Sequence, residues 1–475
     1  MLLKIEPEAR TPVYRQICDQ VSRLVENGAL LPGSRLPPTR LLASRLGLNR
    51  STVYRAYQEL WALGYLESRP GSYSTVRGRL KPPGAAAAAP SGKRPWEALC
   101  PPASRRVHQD HQDLLRLMPK ADPVRVISFA GLSADRELCP ARQLRGAIRE
   151  VLLRSGKALL DYGDPQGYGP LREVIARRMR THGVSVVPEE VLVTGGSQHA
   201  LDLVLRLLGR PGSLAAVESP TYSHVLPLFR FQGIRFLELP MREDGLDLDV
   251  LERRLKVRRP ALLYTIPNFH NPTGITSSQA HRERLLALCE RHEVPLVEDG
   301  FEEEMKYFGK AVLPVKSMDT SGIVIYLGTF SKVVFPGLRV GWIAGEREIV
   351  QRLLSLSRFS SLSGNQVTQA AVARFCEDGR YEQHLRRVHR AYRSRMTAML
   401  RSLRQHLPPK GVSWTQPAGG YTLWVTLDKP PRDEGALLKC LDHHGVAAAA
   451  ASLFFPGRPR GLCFRLSVSN QTEEQ

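Results

Sequence analysis

Hydrophobic and polar positions follow two different periods along the chain. Up to residue 76, apolar residues recur three or four positions apart, as at Val13, Ile17 and Val21, and this spacing predicts short amphipathic helices. From about residue 125, short apolar runs alternate with amphipathic stretches of helical period. That alternation is typical of an α/β sheet with helices on both faces. We therefore predict a small, mostly helical domain at 1–76 and a larger α/β domain after it.

The spacing of apolar residues in the first 76 positions predicts three helices. The first helix has Thr11 as its N-cap and Pro12 as its first residue. A second helix spans about residues 38–46, and Asn49 caps the third. The third helix has an apolar face formed by Val53, Tyr57, Leu60 and Leu63. Because only a short segment with a glycine separates the last two helices, the pattern predicts a helix-turn-helix.

A hairpin and a linker complete the N-terminal part. Strand-like residues at 65–67 and 74–76 flank a turn with proline and glycine, which predicts a hairpin wing. Residues 77–105 contain repeated prolines and a run of alanines without an apolar period, which predicts a semi-stiff linker. Residues 106–475 form the remaining part of the chain, with a large domain at about 125–350 and a small one at about 351–475.

The sequence pattern of the large domain predicts a series of strands that end at small or polar residues. The strand candidates are Val191–Val193, Leu214–Val217, Ile234–Leu239, Ala261–Ile266, Pro295–Val297 and Ile323–Leu327. Amphipathic stretches at 170–182, 197–208 and 278–292 separate several of them. From about residue 350, a long helix precedes strand-like segments at 414–427 and 462–467. This order predicts a smaller α+β domain.

Composition and charge narrow the class of protein. The net charge of +21 invites a nucleic-acid partner, although a generally arginine-rich composition explains it equally well because the excess is spread along the chain. Seven scattered cysteines without a CxxC pair argue against a disulfide framework or a metal site and favour the cytoplasm. No apolar run reaches the ~18 residues of a membrane span, and the N-terminus lacks the pattern of a signal peptide.

The stretch 326–342 carries the strongest chemical signal. Lys332 follows an apolar strand, lies between the hydroxyls of Thr329 and Ser331 and a proline-glycine turn, and precedes Arg339 by seven residues. Such a lysine can hold a carbonyl cofactor as a Schiff base, while hydroxyls and a guanidinium hold its phosphate. A surface lysine before a loop is the ordinary alternative for an isolated Ser-Lys pair.

This stretch resembles the lysine motif of fold-type I pyridoxal-phosphate aminotransferases, S-K-x-x-x-P-G-L-R-x-G. The resemblance extends over roughly 350 residues and implies pyridoxal 5'-phosphate (PLP) as cofactor, with Lys332 as the catalytic residue. It implies that Tyr222 stacks on the pyridine ring, that Asn271 binds the phenolic oxygen, and that Asp299 pairs with the ring nitrogen. The residues implied at the phosphate are Gly196, Ser197, Gln198, Thr329, Ser331 and Arg339. A turn of this kind at a helix N-terminus is an anion site in its own right.

Two further residues carry implications for substrate and assembly. Arg465, in the sequence FRLS, matches the arginine that binds a substrate carboxylate through a two-pronged contact. Tyr162 resembles the tyrosine that reaches the cofactor phosphate of the neighbouring subunit, which implies a homodimer. Taken singly, each of these residues has an ordinary structural alternative, such as a helix cap, a turn residue or a surface charge.

The N-terminal helices resemble the GntR-type winged helix-turn-helix, through PVYRQI (12–17), residues 30–60 and GYLESRPGS (64–72). The resemblance implies double-stranded operator DNA as a partner and the third helix as the recognition helix. The implied DNA-binding residues are Arg40, Arg50, Ser51, Thr52, Tyr54 and Arg55. Tyr73 stands where the family wing has a second glycine, so the wing is expected to enter the minor groove less deeply.

A GntR-type head joined by a linker to an aminotransferase-like body is the layout of the MocR/GabR family of bacterial transcriptional regulators. The resemblance implies a PLP-dependent regulator that senses an amino acid or amine effector by aldimine exchange at Lys332. A working aminotransferase of the aminoadipate or aromatic class with an appended DNA-binding head is the main alternative. A DNA-binding scaffold that no longer responds to small molecules is a third reading, which the intact Asp299, Lys332 and Arg339 disfavour.

Two positions depart from the family's pattern. Phe301 replaces the tyrosine that supports the phenolic oxygen, and the loss of a hydrogen-bond donor is expected to raise the pKa of the internal aldimine. His224 replaces a second carboxylate-binding arginine of GabR-like members. This second departure leaves the identity of the effector open.

Overall fold

The computed structural model describes residues 3–9, 11–67, 73–77, 96–117, 126–408, 410–428, 433–459 and 461–475. The chain divides into two compact units, Met1–Trp96 and Glu97–Gln475. Residues 78–95, most of the predicted linker, lie outside the described residues, as does the tip of the predicted wing at 68–72.

The first unit is a winged helix-turn-helix. Its elements are α1 (Val13–Glu26), α2 (Thr39–Leu46), α3 (Arg50–Ala62), β1 (Leu66–Glu67) and β2 (Thr75–Val76), and the two strands pair antiparallel. Ile17, Val21, Val53, Tyr57 and Leu60 are among the residues of its core. Gly47, whose φ is 65°, closes α2 in the left-handed region and allows the tight turn toward α3.

Two details of the helix predictions are wrong. Pro12, not Thr11, occupies the N-cap position of α1, and it makes no side-chain capping bond because proline has no polar side chain. Leu63 does not belong to the apolar face of α3, since its side chain is 58% exposed. The helix ends at Ala62, so Leu63 no longer follows the helical period that buries Val53 and Leu60.

Two helices lie in or directly after the segment that the sequence predicts as a linker. These are α4 (Trp96–Leu99) and α5 (Pro102–Leu117). Residues 96–99 and 102–105 are therefore helical, although they were predicted as linker. Pro102 fits the first turn of a helix, where no amide hydrogen is needed. The carboxylate of Asp110 on α5 pairs with Arg230 at 3.1 Å, which ties this helix to the body.

An eight-stranded sheet forms the centre of the second unit. After β3 (Ile127–Ser128), its strands are β4 (Val191–Thr194), β5 (Leu214–Ser219), β6 (Arg235–Arg242), β7 (Gly245–Leu246), β8 (Leu262–Thr265), β9 (Leu296–Asp299), β10 (Val324–Thr329) and β11 (Gly341–Ala344). Their order is β4-β11-β10-β9-β8-β5-β6-β7. The strands β6, β5, β8, β9 and β10 are parallel, whereas β11 runs antiparallel between β10 and β4. The sequence prediction missed β11, which is short and begins with glycine.

Helices cover both faces of this sheet, as predicted. They are α6 (Ala141–Ser155), α7 (Gly169–Thr181), α8 (Ser197–Leu208), α9 (Val225–Phe231), α10 (Leu248–Val257) and α11 (Gln279–Arg291). In β8, Leu262 and Tyr264 join the cluster that contains α8 and α9, whereas Leu263 joins the cluster that contains α10 and α11. Alternate residues of one strand thus reach opposite layers, as the pleat of a β-strand requires.

The C-terminal part has three helices where the sequence predicted one. They are α12 (Arg347–Ser361), α13 (Gln366–Glu377) and α14 (Arg380–His406). The strands β12 (Val412–Trp414), β13 (Thr422–Leu427), β15 (Ala449–Ala450) and β16 (Leu462–Ser467) form a sheet of order β12-β13-β16-β15, while β14 (Val446–Ala447) pairs with β3 and α15 spans Glu434–His443. Among the described helices, none is long and apolar enough to cross a membrane.

Candidate active site and DNA-binding helix

The candidate site lies where strands of the large sheet end. Asp299 is the last residue of β9, and Thr329 is the last residue of the neighbouring β10. Both strands are parallel, so their carboxyl ends meet at one edge of the sheet, which is where α/β proteins place ligands. Lys332 follows β10 by three residues and therefore enters the same region.

Lys332 is half-buried, and a hydrogen bond fixes the orientation of its amine. The Nζ atom donates a hydrogen bond to the carbonyl oxygen of Leu132 at 2.7 Å. Burial lowers the pKa of Lys332, while the charges of Glu302 and Asp299 act to raise it. A buried amine with a lowered pKa is more often the neutral nucleophile that Schiff-base formation requires.

The hydroxyls beside Lys332 have different roles. The Thr329 hydroxyl donates to the carbonyl oxygen of Val340 and accepts the amide hydrogen of Ser331, both at 3.1 Å. Thr329 therefore stabilises the turn that carries the lysine. The Ser331 hydroxyl is buried, and within the described part of the chain it has no hydrogen-bond partner. Ser331 is thus the hydroxyl of the pair that is open to a ligand.

Asp299 is buried, and one of its two carboxylate oxygens has a hydrogen-bond partner. The hydroxyl of Tyr264 donates to its Oδ2 atom at 2.8 Å, whereas Oδ1 has no partner among the described residues. Burial raises the pKa of Asp299 to about 6, and the bond from Tyr264 acts in the opposite direction. The sequence analysis did not assign Tyr264 a role. Its only signal was a polar aromatic residue in an otherwise apolar strand.

The glycine turn at 195–196 lies at the N-terminus of α8 and is bound by Arg339. Gly196 has a φ of 93°, and α8 begins directly after it at Ser197. The first amides of a helix have no partner within the helix and carry its positive dipole end. Arg339, itself in the left-handed region with a φ of 50°, donates from Nη2 to the carbonyl oxygen of Gly195 at 2.7 Å. A Cβ atom on Gly196 would lie 2.7 Å from the same Nη2 atom, so a side chain here would displace Arg339, and the positive φ favours glycine in any case.

Arg465 and Asn271 are brought together although 194 positions separate them. The Nη1 atom of Arg465 donates to Oδ1 of Asn271 at 3.0 Å, and its Nη2 atom donates to the carbonyl oxygen of Ala130. Its Nε atom has no partner among the described residues. Burial lowers the pKa of Arg465 to about 10, while Glu302 acts to raise it. The sequence analysis predicted both residues but not their contact.

Tyr222 and the two departures from the family pattern lie around this group. The Tyr222 ring stacks on the His224 ring with a centroid distance of 5.3 Å. Burial lowers the pKa of His224, as do the charges of Lys332 and Arg465, so His224 faces the same region. Gln198 donates from Nε2 to the His224 carbonyl oxygen at 3.1 Å. Phe301 is buried in the apolar cluster that Tyr222 also contacts, and its effect on the cofactor stays a prediction.

Tyr162, a predicted cofactor residue, lies at the surface of the chain. Its side chain is 78% exposed. Leu153 and Leu160 are exposed nearby in sequence. The role that the resemblance implies for Tyr162, a contact with the cofactor of a second subunit, stays a prediction.

The third helix of the first unit exposes most of the predicted DNA-binding side chains. Arg50, Ser51, Tyr54 and Arg55 are exposed, and Thr52 is half-buried. Their positions follow from the helical period, because Val53, Ala56, Tyr57 and Leu60 occupy the opposite, buried face. The guanidinium of Arg55 also packs over the ring of Tyr14 at 4.1 Å. Arg40, at the start of α2, is likewise exposed.

Family models match both units of the chain. The model for bacterial regulatory proteins of the gntR family matches residues 13–76, and the model for aminotransferase class I and II matches residues 132–475. The fold and site therefore define a helix-turn-helix protein with an aminotransferase-type PLP domain. The chain belongs to the aminotransferase class I and II family and, with its gntR-type domain, to the MocR/GabR-type transcriptional regulators.

Individual relatives fall into two groups. The chain is 31% identical to the probable rhizopine catabolism regulatory protein MocR of Rhizobium meliloti, over 86% of this chain and 80% of that protein. It is 34% identical to aromatic-amino-acid aminotransferase 1 of Thermococcus litoralis, over 77% and 88% respectively. The crystal structure of LysN, an α-aminoadipate aminotransferase of Thermus thermophilus with a bound phosphopyridoxyl-leucine, superposes with a TM-score of 0.72 at 33% identity, covering 80% of this chain and 94% of LysN.

The residues of the site fit PLP, the cofactor of this family. Asp299 offers an unpartnered carboxylate oxygen, Ser331 an unpartnered hydroxyl, and Lys332 an amine with a lowered pKa. The turn at Gly196 and the guanidinium of Arg339 supply positive charge for a phosphate. When bound, PLP supplies a carbonyl carbon for amines and a ring that accepts electrons.

Proposed function

We propose that this protein is a PLP-dependent transcriptional regulator that senses an amino acid or amine by aldimine exchange at Lys332. The proposal is supported by one observation: a helix-turn-helix whose third helix exposes basic side chains and a cofactor-lysine site occur in the same chain. In this role Lys332 yields its place to the effector's amine, Arg465 holds an effector carboxylate, and the change is passed to the DNA-binding unit. An effector acts only by binding two arrangements of the protein with different affinity.

We further propose that the protein works as a homodimer in the cytoplasm. Exposed Leu153, Leu160 and Tyr162, which lie close together in sequence, support a subunit contact, because exposed large apolar side chains are enriched at interfaces. In such a dimer Tyr162 reaches the partner's cofactor, and two DNA-binding units require an operator with two half-sites. All seven cysteines are free thiols, which agrees with a reducing compartment.

A catalytically active aminotransferase is the second candidate function. The presence of Arg465 favours it, because a regulator that senses simple amines does not need a buried arginine that binds carboxylates. The similarity to a T. litoralis aromatic-amino-acid aminotransferase and to LysN supports it as well. In this case the DNA-binding unit is vestigial or serves autoregulation.

One pair of measurements separates the two candidates. An absorbance screen of the PLP-loaded protein against amino acids and amines identifies compounds that react with the cofactor. Each compound is then tested for its effect on operator affinity and for steady-state turnover with 2-oxoglutarate. A regulator changes its operator affinity and turns over far more slowly than the ~1–10³ s⁻¹ typical of enzymes. Turnover in that range without any effect on DNA binding would contradict the proposal.

We expect two arginine substitutions to weaken operator binding in different ways. Arg50→Ala removes an exposed side chain at the start of α3, and if Arg50 contacts a base, the loss costs about 1–3 kcal/mol and relaxes specificity at one position. If Arg40 contacts a phosphate, as the resemblance implies, Arg40→Ala lowers the slope of log affinity against log salt by about one unit. Fluorescence anisotropy with operator DNA at several salt concentrations measures both effects.

The control for these substitutions is Arg23→Ala. Arg23 is an exposed arginine in the last turn of α1, outside the predicted recognition helix. It should change operator affinity little. Equal binding by all three variants and the wild type would show that α3 is not the recognition helix.

A further inference from the structure

The main-chain carbonyl group of Lys332 has no partner within its own turn. Residues 330–334, here called the lysine segment, contain a single turn, in which the Val334 amide donates to the carbonyl oxygen of Phe330 at 2.9 Å. If the turn continued as a helix, the amide four residues after Lys332 would donate to its carbonyl oxygen. That residue is Pro336, which has no amide hydrogen. The Lys332 carbonyl group therefore needs a donor from another segment of the chain.

The Tyr421 hydroxyl group is that donor. It donates to the Lys332 carbonyl oxygen at 2.5 Å, although 89 positions separate the two residues. Tyr421 is fully buried, and burial raises the pKa of its phenol well above the usual value, so the hydroxyl keeps its hydrogen. The backbone of Tyr421 is itself held, because its amide donates to Oε2 of Glu302 at 3.2 Å and its carbonyl oxygen accepts the Val468 amide hydrogen at 2.9 Å. The phenol is thus fixed independently of the lysine segment.

A second side chain binds the next carbonyl group along the chain. The Nε2 atom of His384, a buried residue of α14, lies 2.7 Å from the Val333 carbonyl oxygen. Because a carbonyl oxygen only accepts, Nε2 carries the hydrogen, and Nδ1 is left to accept a hydrogen bond from Nη2 of Arg387 at 3.3 Å. Burial lowers the pKa of His384, which agrees with a neutral ring. Side chains from α14 and from the start of β13 therefore bind two consecutive carbonyl groups of the lysine segment.

The other end of Lys332 makes a contact of a different kind. Its Nζ atom donates to the Leu132 carbonyl oxygen at 2.7 Å. An amine that attacks a carbonyl carbon must give up such a contact, because the nitrogen forms the new bond. The contacts of Tyr421 and His384 lie on the main chain and do not involve this nitrogen. They can therefore hold the lysine segment both when Lys332 is bound to PLP and when it is free.

We propose that Tyr421 is a positioning residue for Lys332 and that His384 supports it, since together they fix the main chain from which the amine reaches the cofactor. The tyrosine hydroxyl supplies the hydrogen bond that Pro336 cannot supply. The lysine then returns to the same place each time that an effector's amine has released it. Because a reacting group that is held in place reacts faster, this fixation favours the bond between Lys332 and PLP over its loss. The inference rests on the proposed function, in which Lys332 is the residue that exchanges with the effector.

Tyr421→Phe tests the inference, because it removes the hydroxyl and keeps the ring. Within the described part of the chain, the Lys332 carbonyl group then has no donor. Titration of the full-length protein with PLP, followed by visible absorbance, measures the affinity. We expect the dissociation constant for PLP to rise roughly 5- to 30-fold, as for the loss of one buried hydrogen bond. Amide hydrogen exchange, measured with and without PLP, should be faster in the lysine segment of the variant in both states.

Tyr392→Phe is the matched control. The Tyr392 ring is fully buried and packs edge-to-face on the Tyr421 ring, with a centroid distance of 4.6 Å. Its hydroxyl donates to the Ser469 carbonyl oxygen at 3.1 Å and accepts the Asp135 amide hydrogen at 2.9 Å. The control therefore removes a buried hydroxyl from the same cluster without removing a contact of the lysine segment. We expect both variants to lose thermal stability, while Tyr392→Phe keeps the wild-type affinity for PLP and the wild-type exchange in the lysine segment.

Two variants of His384 test the second carbonyl contact, and they serve as the test if Tyr421→Phe does not fold. His384→Leu removes the donor to Val333, so we expect faster exchange in the lysine segment and weaker binding of PLP. His384→Gln keeps a nitrogen donor at a similar distance from the main chain and should restore both values toward those of the wild type. Rescue by glutamine but not by leucine would show that the hydrogen bond matters and not the volume of the side chain.

The outcomes separate this inference from the proposed function. Wild-type affinity for PLP in Tyr421→Phe would overturn the inference and leave the proposed function intact, even if exchange in the lysine segment became faster, since the hydrogen bond would then stabilise the segment without positioning the amine. Equal changes in Tyr421→Phe and Tyr392→Phe would also overturn it, because the effect would then be a general loss of core stability. A wild-type protein that takes up no PLP would overturn the proposed function and the inference together.

Discussion

Lys332→Ala is expected to abolish the covalent link to PLP while the protein still folds and binds its operator. Lys332 contributes one described side-chain hydrogen bond, to the carbonyl oxygen of Leu132, which is worth about 1 kcal/mol. Its removal also takes away a half-buried charge that burial disfavours, so the net change in stability is small. The covalent link depends wholly on this amine.

The measurements for Lys332→Ala are the visible absorbance with added PLP, the fraction of PLP retained after borohydride reduction, and operator affinity with and without effector. We expect no retained PLP and no effector response, with operator affinity close to that of the wild type. Lys310→Ala, which changes an exposed lysine, should behave as the wild type in every measurement. A Lys332→Ala protein that still responds to effector would show that signalling bypasses this residue.

Arg465→Ala is expected to remove the response to effectors that carry a carboxylate. Arg465 is buried and its guanidinium is held by Asn271 and the Ala130 carbonyl group, so it is oriented before a ligand arrives. Loss of a buried charge-assisted contact of this kind costs about 2–5 kcal/mol, which corresponds to roughly 30-fold weaker binding or more.

The selectivity of this effect is what tests the role of Arg465. Responses to amines that lack a carboxylate should be retained, and the covalent link at Lys332 should persist. Operator titrations with a carboxylate effector and with a simple amine measure both. Arg142→Ala, at an exposed position on α6, is the control and should lose neither response. If Arg465→Ala loses both responses equally, Arg465 supports the site as a whole and does not select carboxylates.

The N-terminal unit shows which structural features can be predicted from the local sequence pattern. Helical spacing of apolar residues predicted α1, α2 and α3, because a helix that packs on one side must repeat its apolar residues with its own period. The same spacing did not show that α3 ends at Ala62, so Leu63 was placed on a face that it does not share. A helix ends where the following segment is more stable in another conformation than in a further helical turn. The spacing of apolar residues alone does not show where this happens.

In the large domain, most strands could be predicted from the sequence, but their arrangement in the sheet could not. Apolar runs predicted β4, β5, β6, β8, β9 and β10, since strands buried on both faces need continuous apolar sequence. The antiparallel strand β11 was missed, although it lies between β4 and β10. It has four residues, and its place in the sheet depends on hydrogen bonds to two strands that are distant in sequence.

For the site, the sequence by itself determined the chemical groups: the amine of Lys332, the carboxylate of Asp299, the glycine turn and the guanidinium of Arg465. These residue types carry their chemistry wherever they lie, and their order along the chain already indicates a PLP protein. Only the tertiary structure decided which of them meet and how strongly each is charged. Tyr264 binds Asp299 and Asn271 binds Arg465 through contacts between remote segments. Burial and neighbouring charge set their proton affinities, and both are properties of the folded chain.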